Sequence, residues 1–510
     1  MTSSTRRVLR IPELIFTIFE FLDHKSNARN ARVCHAWVEI ALEIIWKEVD
    51  SLYQLFGVLG RLKRAGGEFY EFESKPDAVN WLRFETYARR VKSLRANAYQ
   101  LKQSVFDCVD GLRREPAILP NLQALEWNAP MKYSSLFMHS KVKKLCVSPP
   151  FTSLPAFFQE IVNRLPNMST LDILTGGPAH VVVEDLACFL YKLPQLTEIN
   201  LPRSYFTTET ANALSHMQHL RSIQIQCSRP TKASQSIVSH GKSEGLLCPL
   251  HNLRIETSFE EAIRIIEIPF STPNLTRLDI DSGDPPIESS TFMRRLISAV
   301  SSHRQLVKEI RITSANHPCQ SDCIVTEDVK NLKLDIFRPL FRMSNLTSFE
   351  MTHQYPLNLA QSEIEIFATS CPAMENLMLN VEPVHLSDSC LTLDALVPFA
   401  QHCSQLKRLG LFVDATDVPE TTPTASFKSL RQLAVGLSII DNEAAPSLYL
   451  AHLLAAECTI GWGASWEDCT SLSSESIEII EKRSKLWASV NRMVPMLCKK
   501  ICATAAAHTF

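Results

Sequence analysis

Chemistry needs ionisable, nucleophilic or metal-ligating side chains at short spacing, and this sequence offers few. Cys319 and Cys323 stand four apart with His317 just before them. Zinc would need a fourth ligand at suitable spacing. None follows nearby, so the stretch reads as a polar loop with two free thiols. His402 and Cys403 are adjacent at a helix end before Leu406, but nothing local would activate the thiol, and a buried structural cysteine fits better. Ser465, between Gly463 and Trp466, lacks the second glycine of a nucleophile elbow. Asn167-Met-Ser169, Asn274-Leu-Thr276 and Asn345-Leu-Thr347 match the glycosylation sequon, yet all three fall at one place in a repeating unit. No phosphate loop, dinucleotide fingerprint or catalytic dyad is present, and neither a metal nor a cofactor is expected.

Composition points the same way. Only 14 of 510 residues are glycine, against an average near 7%. Loops that cradle phosphate depend on clustered glycines. A net charge of −2 gives no basic footprint for nucleic acid. The 45% apolar and 21% charged residues describe a folded chain. Fifteen cysteines without paired spacing fit reduced, buried thiols and a cytoplasmic or nuclear setting. Arg6, Arg7 and Arg10 precede an amphipathic run broken by Glu13 and Glu20, so a signal peptide is not expected. No apolar run is long enough to predict a membrane span.

Two kinds of element organise the chain. The first is residues 11–55. Pro12 sits where a first helical turn tolerates proline. Leu14, Ile18 and Leu22 recur four apart beside Ile15 and Phe19, which predicts an amphipathic helix. Ser26 reads as the N-cap of a second short helix running through Val33 and Cys34. A third helix carries Trp37, Ala41 and Ile45 four apart, with Leu42 and Trp46 beside them. So few residues cannot bury this many large apolar side chains internally, and the excess suggests a surface made for a partner. An ordinary helical cap packed on the rest of the chain is the alternative.

The string Ile11-Pro12-Glu13-Leu14-Ile15, then Ile18-Phe19, Leu22 and Ala31-Arg32-Val33-Cys34-His35-Ala36-Trp37, resembles an F-box, in the variant that mushroom-forming fungi carry in large numbers. That resemblance implies docking onto a Skp-type adaptor and, through it, a cullin–RING ubiquitin ligase. The implied adaptor contacts are Pro12, Leu14, Ile15, Ile18, Phe19, Leu22, Val33, Cys34 and Trp37. Asn27 and Asn30 depart from the pattern, standing where the second helix is usually apolar. In the same fungal family a segment similar to Trp81–Val91 leads into a repeat region.

The second kind of element is a repeat. From Leu122/Leu125/Trp127 to Leu430/Leu433/Val435, twelve copies place apolar residues at positions one, four and six. Their mean spacing of about 28 residues lies in the leucine-rich-repeat range. The last two positions share one face of a short strand. Helices such as Ser153–Leu165, Glu184–Leu193, Thr207–Met217, Ser290–His303 and Leu393–Cys403 separate the copies. Prolines as in Leu165-Pro166-Asn167 mark where helices stop. No single unit buries its face alone, but a stack makes one continuous core. The usual asparagine after the strand is absent; Ser204, Ser228, Ser258 and Asp414 stand roughly there.

The expected fold is therefore α/β: an F-box over 1–55, linker helices over 56–115, an irregular leucine-rich-repeat solenoid over 116–450 and a helical cap over 451–510. Within the linker, Tyr53–Arg64 reads as a helix with Leu55, Leu59 and Leu62 on one side, and Phe69–Pro76 as a loop. Within the cap, Ser474–Trp487 and Val490–Ala503 read as two helices. The resemblance implies a non-catalytic substrate receptor that binds an adaptor and an unidentified target protein, with neither nucleic acid nor membrane as a partner. A repeat scaffold that does not bind an adaptor, motivated by Asn27 and Asn30, and an enzyme hidden in the array are the alternatives.

Overall fold

A computed structural model describes residues 11–507 apart from 68, 98–100, 129–130, 151–152, 175–176, 227–249, 269–271, 284–287, 315–326, 387–388 and 465–472. Arg6, Arg7, Arg10, Ser228, His317, Cys319, Cys323 and Ser465 lie outside the described residues. Two compact units divide the described chain, the first ending at Leu220 and the second beginning at Arg221.

Three helices open the first unit: α1 (Pro12–Glu20), α2 (His24–Asn30) and α3 (His35–Lys47). Pro12 occupies the first turn of α1 as its missing donor allows. The cap of α2 differs from expectation. Asp23, not Ser26, is the N-cap, and its carboxylate accepts the Ser26 amide at 2.6 Å.

α3 runs directly into β1 (Glu48–Val49), the first strand of a parallel sheet. β2 (Leu62–Arg64) and β3 (Tyr70–Phe72) form a separate antiparallel hairpin. Here the predicted long helix is corrected. The helix ends at Gly57, and Gly66 and Gly67 adopt positive φ (89° and 59°) to turn the chain back. β4 (Ser93–Asn97), β5 (Ala124–Asn128), β6 (Lys144–Val147), β7 (Thr170–Ile173) and β8 (Glu198–Pro202) then follow β1 in chain order. The parallel sheet thus begins before residue 116. Val91, Leu94 and Ala96 form a copy of the repeat triplet hidden by the small Ala96, and all three are buried.

The second unit holds β9 (Ser222–Gln226), β10 (Asn252–Glu256), β11 (Arg277–Asp281), β12 (Glu309–Ser314), β13 (Ser348–His353), β14 (Asn376–Leu379), β15 (Arg408–Leu411), β16 (Gln432–Gly436) and β17 (Thr459–Trp462). These too are parallel and in chain order. In all twelve expected triplets the last two residues lie on a strand and the first lies on the turn just before it. The middle residues register directly, as in Leu278↔Ile310↔Phe349↔Leu377↔Leu409↔Leu433. Each faces the layer of helices and is buried, so each rung packs against the next as a stack requires.

The sequons acquire a structural role. At the helix-to-strand junctions, the sequon residues Asn167 and Asn345 donate to the carbonyls of Ser140 and Gln305, as Asn121, outside a sequon, does to that of Arg89. At the third sequon position, Ser169, Thr276 and Thr347 donate to the carbonyls of Lys143, His251 and Lys308. Both polar members of N-x-S/T thus bond one repeat to the one before. After the strands, Ser314, Asn380 and Ser438 accept the amides of Glu288, His353 and Val413. Asn380 follows its strand immediately, with φ 47°, so an asparagine does stand after one strand.

A single helix, Ser474–Ala507, closes the second unit, with Pro495 inside it, where two helices were expected. Trp487 is fully buried and its indole N–H donates to the Ser438 carbonyl at 2.9 Å. Asn491 accepts the backbone amide of Ile460 on the last strand at 3.0 Å. The helix therefore covers an edge that would otherwise present unpaired backbone. Among the described residues no helix is long and apolar enough to cross a membrane.

Candidate protein-docking site

The helical package is built around Ile15, Phe19 and Ala41, with Ala31, Trp37, Ile40 and Ile44 packed on them. The rings of Phe19 and Trp37 meet edge-to-face at 5.3 Å. Four-residue spacing places Leu14, Ile18 and Leu22 on one side of α1 and its C-terminal end, and they remain 42%, 42% and 39% exposed. Ile11 is also exposed, and Phe21 and Val33 reach 86% and 61%. Pro12 and Cys34 lie at the surface.

The nine expected adaptor contacts therefore separate. Pro12, Leu14, Ile18, Leu22, Val33 and Cys34 are accessible. Ile15 and Phe19, at 2% and 3% exposed, lie in the interior and hold the helices together. Trp37 is half-buried against Phe19. Sequence reasoning missed Phe21, whose signal was an aromatic residue off the four-residue spacing, beside Leu22.

Asn27 is not a defect in the second helix. It is 1% exposed, and its amide nitrogen donates to the carbonyls of Phe19 at 2.9 Å and Leu22 at 3.2 Å. Those carbonyls belong to the end of α1, where helices leave acceptors unpaired. The polar residue joins α2 to α1 by two bonds that an apolar one could not make, the Phe19 carbonyl also accepting the Leu22 amide at 3.1 Å.

α3 fixes the package to the sheet. The Lys47 carbonyl accepts the Lys92 amide at 2.9 Å. Glu43 pairs with Lys92 at 3.4 Å, and Arg90 contacts both Glu39 and Glu43. Lys47 also pairs with Glu20 at 3.1 Å, which ties α1 to α3.

In the second unit, alternate strand residues turn away from the helices and carry charge. Arg277 pairs with Asp279 and Glu309, and Arg311 with Glu350. None of this arranges catalysis. His402 bonds Glu365 at 2.9 Å, not Cys403. The Cys403 thiol points at the carbonyls of Ala368 and Cys371, and burial pushes its pKa up to about 11. Among the described residues no three His, Cys, Asp or Glu side chains cluster as metal ligands.

Comparison with known proteins finds one family match, over the first helices, and several distant structural likenesses. Residues 12–51 match the F-box-like family. Among solved structures, the chain is similar to one from a TLR13–ssRNA13 complex at 13% identity and TM-score 0.36, over 74% of this chain and 58% of that one. It is similar to the leucine-rich repeat-containing protein LegL7 from Legionella pneumophila at 11% identity and TM-score 0.34, over 55% and 90%. A chain from the yeast Rad7 and Elc1 complex gives 13% identity and TM-score 0.37, over 68% and 82%. This chain thus spans a little over half the length of the first of these and most of the other two. It carries an F-box-like domain at residues 12–51, followed by parallel strands and helices of the leucine-rich-repeat type.

Proposed function

We propose that this protein is the substrate-receptor subunit of a Skp–cullin–F-box ubiquitin ligase, like the fungal F-box proteins its first residues resemble. The observation that carries the reading is the uncovered apolar row Leu14, Ile18 and Leu22, with Phe21 beside it, on a domain that matches the F-box-like family. Burying such a row on a partner removes apolar surface from water, at about 25 cal/mol per Å². A Skp-type adaptor is the partner, with a cullin beyond it. Val33, Cys34 and Pro12 complete the contact.

The receptor does no chemistry itself. The helices dock, the repeats hold a target protein, and the ligase's catalytic partners transfer ubiquitin to a nearby lysine by proximity. Cytoplasm or nucleus is the setting, with no role for nucleic acid or membrane. Asn27 supports this reading over the scaffold alternative, because its bonds to α1 stabilise the docking package.

Co-purification of the full chain with a Skp-type adaptor tests the proposal. Wild type is expected to bind and Leu14→Asp/Ile18→Asp to lose binding. A folded wild-type chain that captures no adaptor would remove the ligase reading.

A further inference from the structure

In the second unit, Arg311, Glu350, Met378 and Gly410 follow one another in register along the strand faces turned away from the helices. Arg408 stands two residues before Gly410 on β15. Arg311, Glu350, Met378 and Arg408, with Thr352 and Glu382, line a cleft of about 280 Å³. We propose that this cleft captures one carboxylate side chain of the target protein, an aspartate or glutamate, between Arg311 and Arg408. The proposal rests on the reading that the repeats hold a target.

Glu350 sets the two guanidinium groups in place. Arg311 reaches its Oε2 through Nε at 2.8 Å and Nη2 at 2.6 Å. Arg408 approaches Oε1 at 3.7 Å, and Asn376 donates to Oε1 at 2.8 Å. Burial works against charge on Glu350, but the Asn376 bond and the arginines offset it and lower its pKa. Both arginines keep about half their side-chain surface exposed, at 51% and 47%. Their outward N–H groups are arranged for an acceptor, and guanidinium geometry suits a carboxylate.

The arrangement of charge bears on the ligand. The lining carries two guanidinium groups and two carboxylates, Glu350 and Glu382, so it is neutral overall, and its positive charge is concentrated between Arg311 and Arg408, where one carboxylate would sit. Glu382 on the wall opposes a dianion such as a phosphoryl group. Thr352 lines the same cleft, and its hydroxyl is buried without a hydrogen-bond partner. Buried polar groups ordinarily find one, and an incoming carboxylate would accept that donor. Met378 supplies an apolar wall beside it. It lies over Gly410, where a Cβ would sit 2.7 Å from the Met378 sulfur, so a larger residue there would displace the Met378 side chain.

The experiment uses the full-length chain and an array of decapeptides with randomised flanks around a fixed central glutamate, glutamine, lysine or phosphoserine. Glutamate is expected to exceed glutamine by about tenfold, the scale of one charge-assisted contact. Arg408→Gln and Arg311→Gln should each remove that preference, while Arg254→Gln, outside the cleft, should keep it. Equal binding of glutamate and glutamine, a preference surviving in both cleft variants, or stronger binding of phosphoserine would overturn the proposal. Arg408→Gln, which loses the longer contact to Glu350 and the bond from Arg408 Nε to Gln432 at 3.1 Å but leaves the Arg311–Glu350 pair intact, serves as the readout should Arg311→Gln fail to fold. Adaptor co-purification is measured alongside. Its loss with the glutamate preference intact would count against the ligase reading alone.

Discussion

The indole of Trp46 and the ring of Tyr87 lie 5.0 Å apart at 54°. Trp46 is in the last turn of α3, and Tyr87 ends the helix that leads into β4. The contact, with the Lys47–Lys92 backbone bond beside it, makes the docking helices and the first strands of the sheet one packed body. A receptor that works by position requires such a joint, because slack there would spread the target's lysines over many distances from the catalytic partners.

Trp46→Ala should loosen that joint without unfolding the repeats. Hydrogen exchange is expected to rise in residues 12–47 and to stay unchanged across 250–430. Equal acceleration in both regions would contradict the hinge-like role of the pair.

Leu14→Asp and Ile15→Asp, one residue apart, should behave oppositely. The exposed Leu14 tolerates charge, so its variant keeps the wild-type melting temperature while losing adaptor co-purification. Ile15→Asp buries an unpaired carboxylate in the helical core and should unfold the package, and even Ile15→Ala should cost about 2–4 kcal/mol. Far-ultraviolet circular dichroism on heating separates the two.

Asn27→Ala removes two hydrogen bonds to the end of α1 and should destabilise the first unit by about 1–2 kcal/mol. Asn30→Ala, with no such bonds, should be near neutral. Urea midpoints of the two variants check the difference.

His353 gives the second unit a pH dependence. Burial holds its pKa down to about 4, from an ordinary value of 6.5. The unfolded chain therefore binds more protons between those values, so stability is full above about pH 6.5 and falls as pH drops toward 4. His385, also lowered by burial, acts in the same direction, while the buried Glu288 carboxyl, raised by burial, acts in the opposite one. The loss assigned to His353 amounts to at most about 3 kcal/mol. Denaturation of wild type and His353→Gln at pH 7 and pH 5 should show the smaller pH effect in the variant.

The repeat was legible because the spacing of Leu, Ile and Val leaves a short strand only one way to face, and every triplet from Leu122 to Val435 kept it. The helices of the docking package were legible from four-residue spacing. That spacing could not say which side of α1 turns inward, and the resemblance alone gave Ile15 and Phe19 as adaptor contacts, while the fold buries both. Leu55, Leu59 and Leu62 mimic a helical period, and only the glycine turn at Gly66 and Gly67 reveals a hairpin. The expected break between Trp487 and Val490 does not occur: Ser474–Ala507 runs through it and through Pro495, because packing of residues such as Trp487 and Val490 outweighs one missing backbone donor. The cleft at Glu350 depends on neighbours 39 and 58 positions away, a relation that only strand register makes visible.

The helix laid along β17 has a consequence for how such a chain lengthens. β1, at the opposite end of its own sheet, is only two residues long and holds a neighbour on one side. With one margin sealed and the other this brief, neither invites another molecule to add a rung. A ladder of this kind lengthens by repeats inserted between existing ones, not by strands added beyond β17 or β1.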